Sequence, residues 1–96
     1  MSPVPMDVDR IIHEPARLYI ISILNAVEQV DFLYLLGETG MTRGNLSTHL
    51  TRLEEAGYIQ ITKTYRGKVP QTLYRITPAG AEAFRLYRKT MKDIMG

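Results

Sequence analysis

A mainly helical α+β domain is what this sequence predicts, with four helices and one β-hairpin lying between the third helix and the fourth. Three observations carry that expectation. Leu46, Leu50 and Leu53 recur at steps of four and three, which at about 100° per residue makes one apolar stripe on a helix. From Tyr58 the period changes to alternation, and two strand-prone runs flank a basic turn containing Gly67. Thr77-Pro78 then opens a last helix on which Phe84, Tyr87, Met91 and Ile94 recur at steps of three and four. At 96 residues, 45% hydrophobic and 23% charged, the chain is one domain. It is too apolar for intrinsic disorder and small enough to gain from burying further surface in a dimer.

Residues 1–12 include Pro3 and Pro5 and are expected to form a flexible arm, leaving 13–96 as the folded domain. His13-Glu14-Pro15 marks a helix start, because proline suits the first helical position and a carboxylate suits the positive end of the dipole. The first helix, about Pro15 to Val27, carries two apolar faces: Ala16, Ile20, Ile23, Leu24 and Val27 on one, Leu18, Tyr19 and Ile21 on the other. A helix apolar nearly all round is buried on two sides, so the second face is expected to meet a partner subunit. Asp31 caps a helix of about two turns through Phe32, Leu33, Leu35 and Leu36, with Gly37 and Gly40 bracketing the turn beyond it. Helix, glycine-containing turn and helix is the order of a helix-turn-helix, whose first member crosses the DNA backbone. Bearing Asp31 and Glu38 but no Lys or Arg, that first member is expected to be scaffold.

The next helix, about 42–56, has both ends marked: Thr42 can cap its first turn and Gly57 can terminate it. Opposite the leucines lie Gly44, Asn45, Thr48, Thr51, Arg52 and Glu55, with Ser47 and His49 on the flanks and Arg43 near the start. The first turns of that face hold no carboxylate, whereas a helix face made for solubility carries Glu and Lys pairs. Short hydrogen-bonding side chains with Arg suit an element that approaches base edges and phosphates. For His49, packing beside Leu50 and a hydrogen bond to phosphate both remain open. The hairpin, about 58–76, carries Lys63, Arg66 and Lys68 and no acid between Glu55 and Glu82. A merely solvated turn and a nucleic-acid contact both fit such a tip. Its second strand is expected over Gln71 to Ile76, with Arg75 facing either a phosphate or the first helix. On the last helix, about 77–95, the apolar seam is too short for a free-standing coiled coil and is expected to pack on the first helix of a second subunit. Arg85, Arg88, Lys89 and Lys92 lie opposite it as a solvated face.

Net charge is +2 but unevenly spread: residues 1–41 hold two basic against six acidic side chains, residues 42–96 ten against four. The basic part is the part with the polar helix and the hairpin, an electrostatic footprint suited to a polyanion. The absence of cysteine excludes a disulfide framework, a thiolate zinc site and a thiol sensor. No apolar run is long enough to span a bilayer and the start lacks the pattern of a signal peptide, so the expected location is cytoplasmic, without a membrane partner. His13 and His49 are the only histidines, and no nucleophile-base set, phosphate loop or dinucleotide fingerprint accompanies them. No enzyme, metal or cofactor is expected.

Taken together, NLSTHLTRLEEAGYI, the strand, basic turn and strand after it, and TPAG opening the last helix resemble small winged-helix transcription regulators of the MarR and ArsR groups, across about residues 13–95. The resemblance implies a winged helix-turn-helix with a two-stranded wing and a C-terminal dimerisation helix. It further implies a sequence-specific regulator of double-stranded DNA, a homodimer acting by default as a repressor. Metal-sensing ArsR members use cysteine thiolates, which this chain lacks, so any signal it takes is different. The residues assigned to DNA are Thr42, Arg43, Gly44, Asn45, Ser47, Thr48, His49, Arg52, Lys63, Arg66 and Lys68, with Arg43, Asn45 and Thr48 at or near the bases. Those assigned to the dimer are Leu18, Tyr19, Ile21, Phe84, Tyr87, Met91 and Ile94. The alternative is a winged-helix adaptor whose same face meets protein in a larger complex, since fold alone does not set function. A third reading is a small-molecule effector between the first and last helices against Tyr19, Phe84 and Tyr87, although such aromatics are more often plain core.

Overall fold

The computed structural model describes residues 8–96. Its elements are α1 (Pro15–Ala26), β1 (Val30–Asp31), α2 (Phe32–Thr39), α3 (Arg43–Glu55), β2 (Ile59–Arg66), β3 (Val69–Ile76) and α4 (Pro78–Met95). Every helix begins on a side-chain cap. Glu14 accepts from the Arg17 amide, Asp31 from Tyr34, Thr42 from Asn45 and Thr77 from Gly80, each satisfying an amide with no partner inside its helix.

The strands form one antiparallel sheet in the order β1-β3-β2. The β2–β3 hairpin runs in register from Ile59 opposite Ile76 to Arg66 opposite Val69. This leaves Gly67 and Lys68 as the turn. Gly67 has φ +63° and Lys68 is not at positive φ, the pattern of a type II′ turn with glycine first. Two features differ from the sequence expectation. The second hairpin strand starts at Val69 rather than Gln71, so Pro70 lies inside it, on a stretch with β2 on one side and no strand on the other. A short third strand also joins the wing to the helical body, Val30 pairing with Tyr74 and Asp31 with Leu73. Two residues carry no period of their own, and only the free edge of β3 makes them a strand.

The core gathers Ile20, Ile21 and Leu24 from α1, Leu35 from α2, Leu46, Leu50 and Leu53 from α3, Ile59 and Tyr74 from the hairpin, and Phe84 and Tyr87 from α4. The expected flexible arm over 1–12 falls mainly on residues 1–7, which lie outside the described residues. Its remainder is packed. Val8 and Ile12 are buried in the core, and Asp9 closes the turn between them by accepting from the amides of Ile11 at 2.9 Å and Ile12 at 3.1 Å. The start of α4 lies against the turn between α3 and β2 with no room for a side chain, because a Cβ on Gly80 would stand 2.1 Å from the Tyr58 carbonyl oxygen. Among the described residues no helix is long and apolar enough to cross a membrane.

Candidate nucleic-acid interface

The leucine stripe of α3 is sealed against the core, with Leu46, Leu50 and Leu53 at most 2% exposed. Arg43, Gly44, Asn45, Ser47, Thr48, Thr51 and Arg52 are consequently turned out to solvent. Thr42 is occupied as the helix cap, its Oγ1 accepting from the Asn45 amide at 3.2 Å. Thr48 donates its hydroxyl hydrogen to the Gly44 carbonyl at 2.9 Å, which leaves an oxygen able to accept and a methyl group for apolar contact. A Cβ on Gly44 would meet nothing within 4 Å. The fold therefore does not require glycine there, and what the absent side chain spares is space outside the protein.

Lys63, Arg66, Lys68 and Arg75 are exposed along the hairpin. Among the described residues, the ion pairs between formal cations and carboxylates lie on α4: Arg85 with Glu82 at 2.7 Å and Lys89 with Asp93 at 3.2 Å. Arg43, Arg52, Lys63, Arg66 and Lys68 thus form a positive surface around α3 and the wing whose cations are not ion-paired, the arrangement that raises the local concentration of a polyanion. Hydrogen bonding to Arg85 holds the Glu82 carboxyl below its ordinary range, against a smaller opposing effect of desolvation.

His49 behaves differently from the residues around it. Its Nδ1 lies 3.2 Å from Nη1 of Arg17, with the Glu14 carboxylate 3.9 Å away. A guanidinium can only donate, so in this contact Nδ1 is the acceptor. His49 ties α3 to the start of α1, a third use beside the packing and phosphate roles expected of it. Arg17 also donates from Nε to the Ile11 carbonyl at 2.6 Å, which makes it the hub between the N-terminal turn and α3. No local pattern marks Arg17, because its partners are distant in sequence or are backbone atoms. Tyr65 and Val69 are 70% and 66% exposed on the hairpin and lie on opposite faces of it, Tyr65 opposite Pro70 and Val69 opposite Arg66; sequence reasoning gave neither a role, because alternation places Tyr65 on the face of Ile59 and Ile61.

The perturbed tyrosines fasten the scaffold. Burial, then the hydrogen bond it donates to the Asp9 carboxylate, pushes Tyr58 up to about 12. Tyr74 is raised by burial and then by the negative charge of Glu54, and Tyr87 by burial, its hydroxyl 2.8 Å from Nδ1 of His13. All three remain protonated at neutral pH and serve as hydrogen-bonding groups. The two histidines have separate partners, and among the described residues no group of three His, Asp or Glu lies close enough to hold a metal ion.

The residues assigned to a dimer lie in unlike surroundings within the protomer. Ile21 is fully buried, and Phe84 and Tyr87 are at most 7% exposed, so these three are used within the protomer. Tyr19, half exposed, donates its hydroxyl to the Glu38 carbonyl at 3.1 Å and ties α1 to α2. What α4 leaves open is Leu86 and, near its end, Ile94 and Met95. On the side of α4 that carries Met95, away from Leu86, is a groove of about 800 Å³ lined by Leu18, Phe84, Tyr87, Met91 and Met95 together with Arg85, Arg88, Lys89 and Lys92. Of the three aromatics expected around an effector, Phe84 and Tyr87 line this groove and Tyr19 does not.

A family model described as winged helix DNA-binding domain matches residues 16–95. An uncharacterized protein of Methanocaldococcus jannaschii is 35% identical over 79 residues, which are 81% of this chain and 85% of that protein. The transcriptional regulator homologue of Pyrococcus horikoshii superposes with a TM-score of 0.85 at 26% identity, covering 91% of this chain and 86% of its own. A transcriptional regulator of the MarR family from Enterococcus faecalis superposes with a TM-score of 0.74 over 88% of this chain and 84% of its own, and at 18% identity it speaks to the fold alone.

Proposed function

Because this chain belongs to the winged helix DNA-binding domain family, matched over residues 16–95, we propose that it is a sequence-specific regulator of transcription that binds double-stranded DNA as a homodimer. Family and fold are those of DNA-binding regulators, not of enzymes. The observation that carries the reading is the exposed, acid-free front of α3 set beside a hairpin whose basic side chains have no acidic partner among the described residues. In this reading α3 enters the major groove. Asn45, whose side chain has no hydrogen bond within the described residues, takes adenine through N6 and N7, and Thr48 offers its methyl to thymine or its oxygen to an amino group. Ser47, Arg52, Lys63 and Lys68 meet phosphates and set affinity more than sequence choice.

The second subunit docks on the α1–α4 groove, where Met91 and the exposed Met95 extend the apolar floor set by Leu18 and Phe84. A two-fold dimer places its recognition helices in successive major grooves, with half-sites about 34 Å apart. Occupying a promoter in this way blocks polymerase, so the expected output is repression. The exposed Tyr65, on the opposite face of the hairpin from Val69, favours a second reading, in which the hairpin meets a protein partner and the domain is an adaptor. Fluorescence anisotropy on random duplex DNA at several salt concentrations separates the two. Binding that weakens log-linearly with salt supports the DNA reading, and no binding at low salt transfers the assignment to the adaptor.

A further inference from the structure

A second groove, of about 450 Å³, opens between the start of α2 and the outer part of the hairpin. Arg43, the first residue of α3, and Arg66, the last of β2, both line it. The Arg43 guanidinium lies 5.9 Å from the centroid of the Phe32 ring. Phe32 is itself held by Tyr74, with ring centroids 6.3 Å apart at 47°. Stacking on an aromatic ring occupies a face of the guanidinium and leaves its in-plane N–H donors unused. Neither arginine is in an ion pair among the described residues. Leu33 and Val69, 63% and 66% exposed, supply apolar wall without donors. Asp31 is the one carboxylate lining the groove, and its Oδ1 is engaged as the α2 cap, accepting from the Tyr34 amide at 2.8 Å.

We propose that Arg43 and Arg66 clamp one backbone phosphate of the bound duplex in this groove, with its deoxyribose against Leu33 and Val69, and that Phe32 is the positioning residue that directs Arg43 there. The proposal rests on the DNA reading above and changes one assignment within it: Arg43 contributes affinity and register instead of reading a base. Two guanidinium groups sharing one groove repel each other until an anion lies between them, and a phosphodiester brings two unesterified oxygens for in-plane N–H donors. Asp31 weakens the site by its charge, which makes it a brake on affinity that does not depend on sequence.

The test uses the full chain on random duplex and on an operator obtained by selection, with affinity measured across salt concentrations. Arg43→Ala and Arg66→Ala are each expected to flatten the slope of log K against log salt by about one per subunit, with the same loss on both duplexes. Phe32→Leu keeps an apolar side chain and the Arg43 charge; it should flatten the slope in part, and have no effect on it in the Arg43→Ala background. Its urea midpoint is measured at each salt concentration to show that the variant stays folded, because a folded fraction that varied with salt would itself change the slope. Asp31→Asn keeps a capping oxygen and removes the charge, and should tighten both duplexes about threefold. Loss on the operator alone with an unchanged slope would put Arg43 on a base and overturn the clamp. A Phe32→Leu slope equal to wild type would remove the positioning role. Stabilisation of the free protein by inorganic phosphate over chloride at equal ionic strength, abolished by Arg43→Ala while the DNA slope stays unchanged, would assign the groove to free phosphate instead. Absence of salt-dependent binding by the wild-type chain removes the DNA reading and the clamp with it, whereas wild-type binding with an unaltered Arg43→Ala slope removes the clamp alone.

Discussion

Gly80→Ala sets two effects of opposite sign against each other. Helix propensity favours alanine over glycine in a helix by about 1 kcal/mol, so a reading of α4 as an isolated helix predicts a more stable protein. The packing predicts the reverse. An added Cβ would lie 2.1 Å from the Tyr58 carbonyl oxygen, 2.8 Å from its carbon and 3.0 Å from Cγ1 of Ile76. Carbon and oxygen approach no closer than about 3.3 Å even in C–H···O contacts, so α4 must retreat by about 1 Å. The obstacle is backbone and cannot rotate away. The same carbonyl accepts from the Thr77 amide at 3.0 Å, and Thr77 Oγ1 donates to the Gly57 carbonyl at 2.6 Å. Overpacking of this kind costs about 1 to 3 kcal/mol and each loosened hydrogen bond about 1 more, which outweighs the propensity gain by about 2 to 4 kcal/mol. For a domain of this size the thermal midpoint should fall by about 10 to 25 °C. Urea and thermal unfolding at one fixed protein concentration measure it, since a dimer makes both midpoints concentration-dependent. Gly44→Ala is the control: its Cβ meets nothing, so stability should hold or rise by up to about 1 kcal/mol. A Gly80→Ala midpoint at or above wild type would refute the close approach.

Asn45→Ala should cost about 1 to 3 kcal/mol on a selected operator and little on random duplex, with stability moving by less than about 0.5 kcal/mol because the side chain is exposed; equal losses on both duplexes would remove Asn45 from base readout. Met91→Glu combined with Met95→Glu should yield a folded monomer in sedimentation velocity, since both line the α1–α4 groove and Met95 is 78% exposed in the protomer. A surviving dimer would rule out the α4 seam. Tyr58 is held near 12 when folded, above the ordinary tyrosine value near 10, so its contribution to stability is whole below about pH 10 and is lost as pH climbs through about 12. Between those values the urea midpoint of wild type should fall more steeply than that of Tyr58→Phe, and parallel curves would contradict the Asp9 contact.

The helices and the hairpin were legible in the sequence because their signals are local. Caps at Glu14, Asp31, Thr42 and Thr77 act within three residues of themselves, the leucine stripe repeats every turn, and Gly67 marks the tip of the hairpin. The outward face of α3 followed directly, since once the stripe is buried its polar residues have only solvent to face. Tertiary structure alone decided what depends on partners far along the chain. Val30 and Asp31 become a strand only because Leu73 and Tyr74 offer a free edge, and the N-terminal turn is fastened by Tyr58 across 49 positions. His49 reaches Arg17 on α1, and Arg43 rests on Phe32. The same holds for the seam on α4. Periodicity identifies which residues are apolar, but whether Phe84 and Tyr87 are covered by their own chain or by a second one depends on how α4 lies against the body, and no pattern within a single helix encodes that angle.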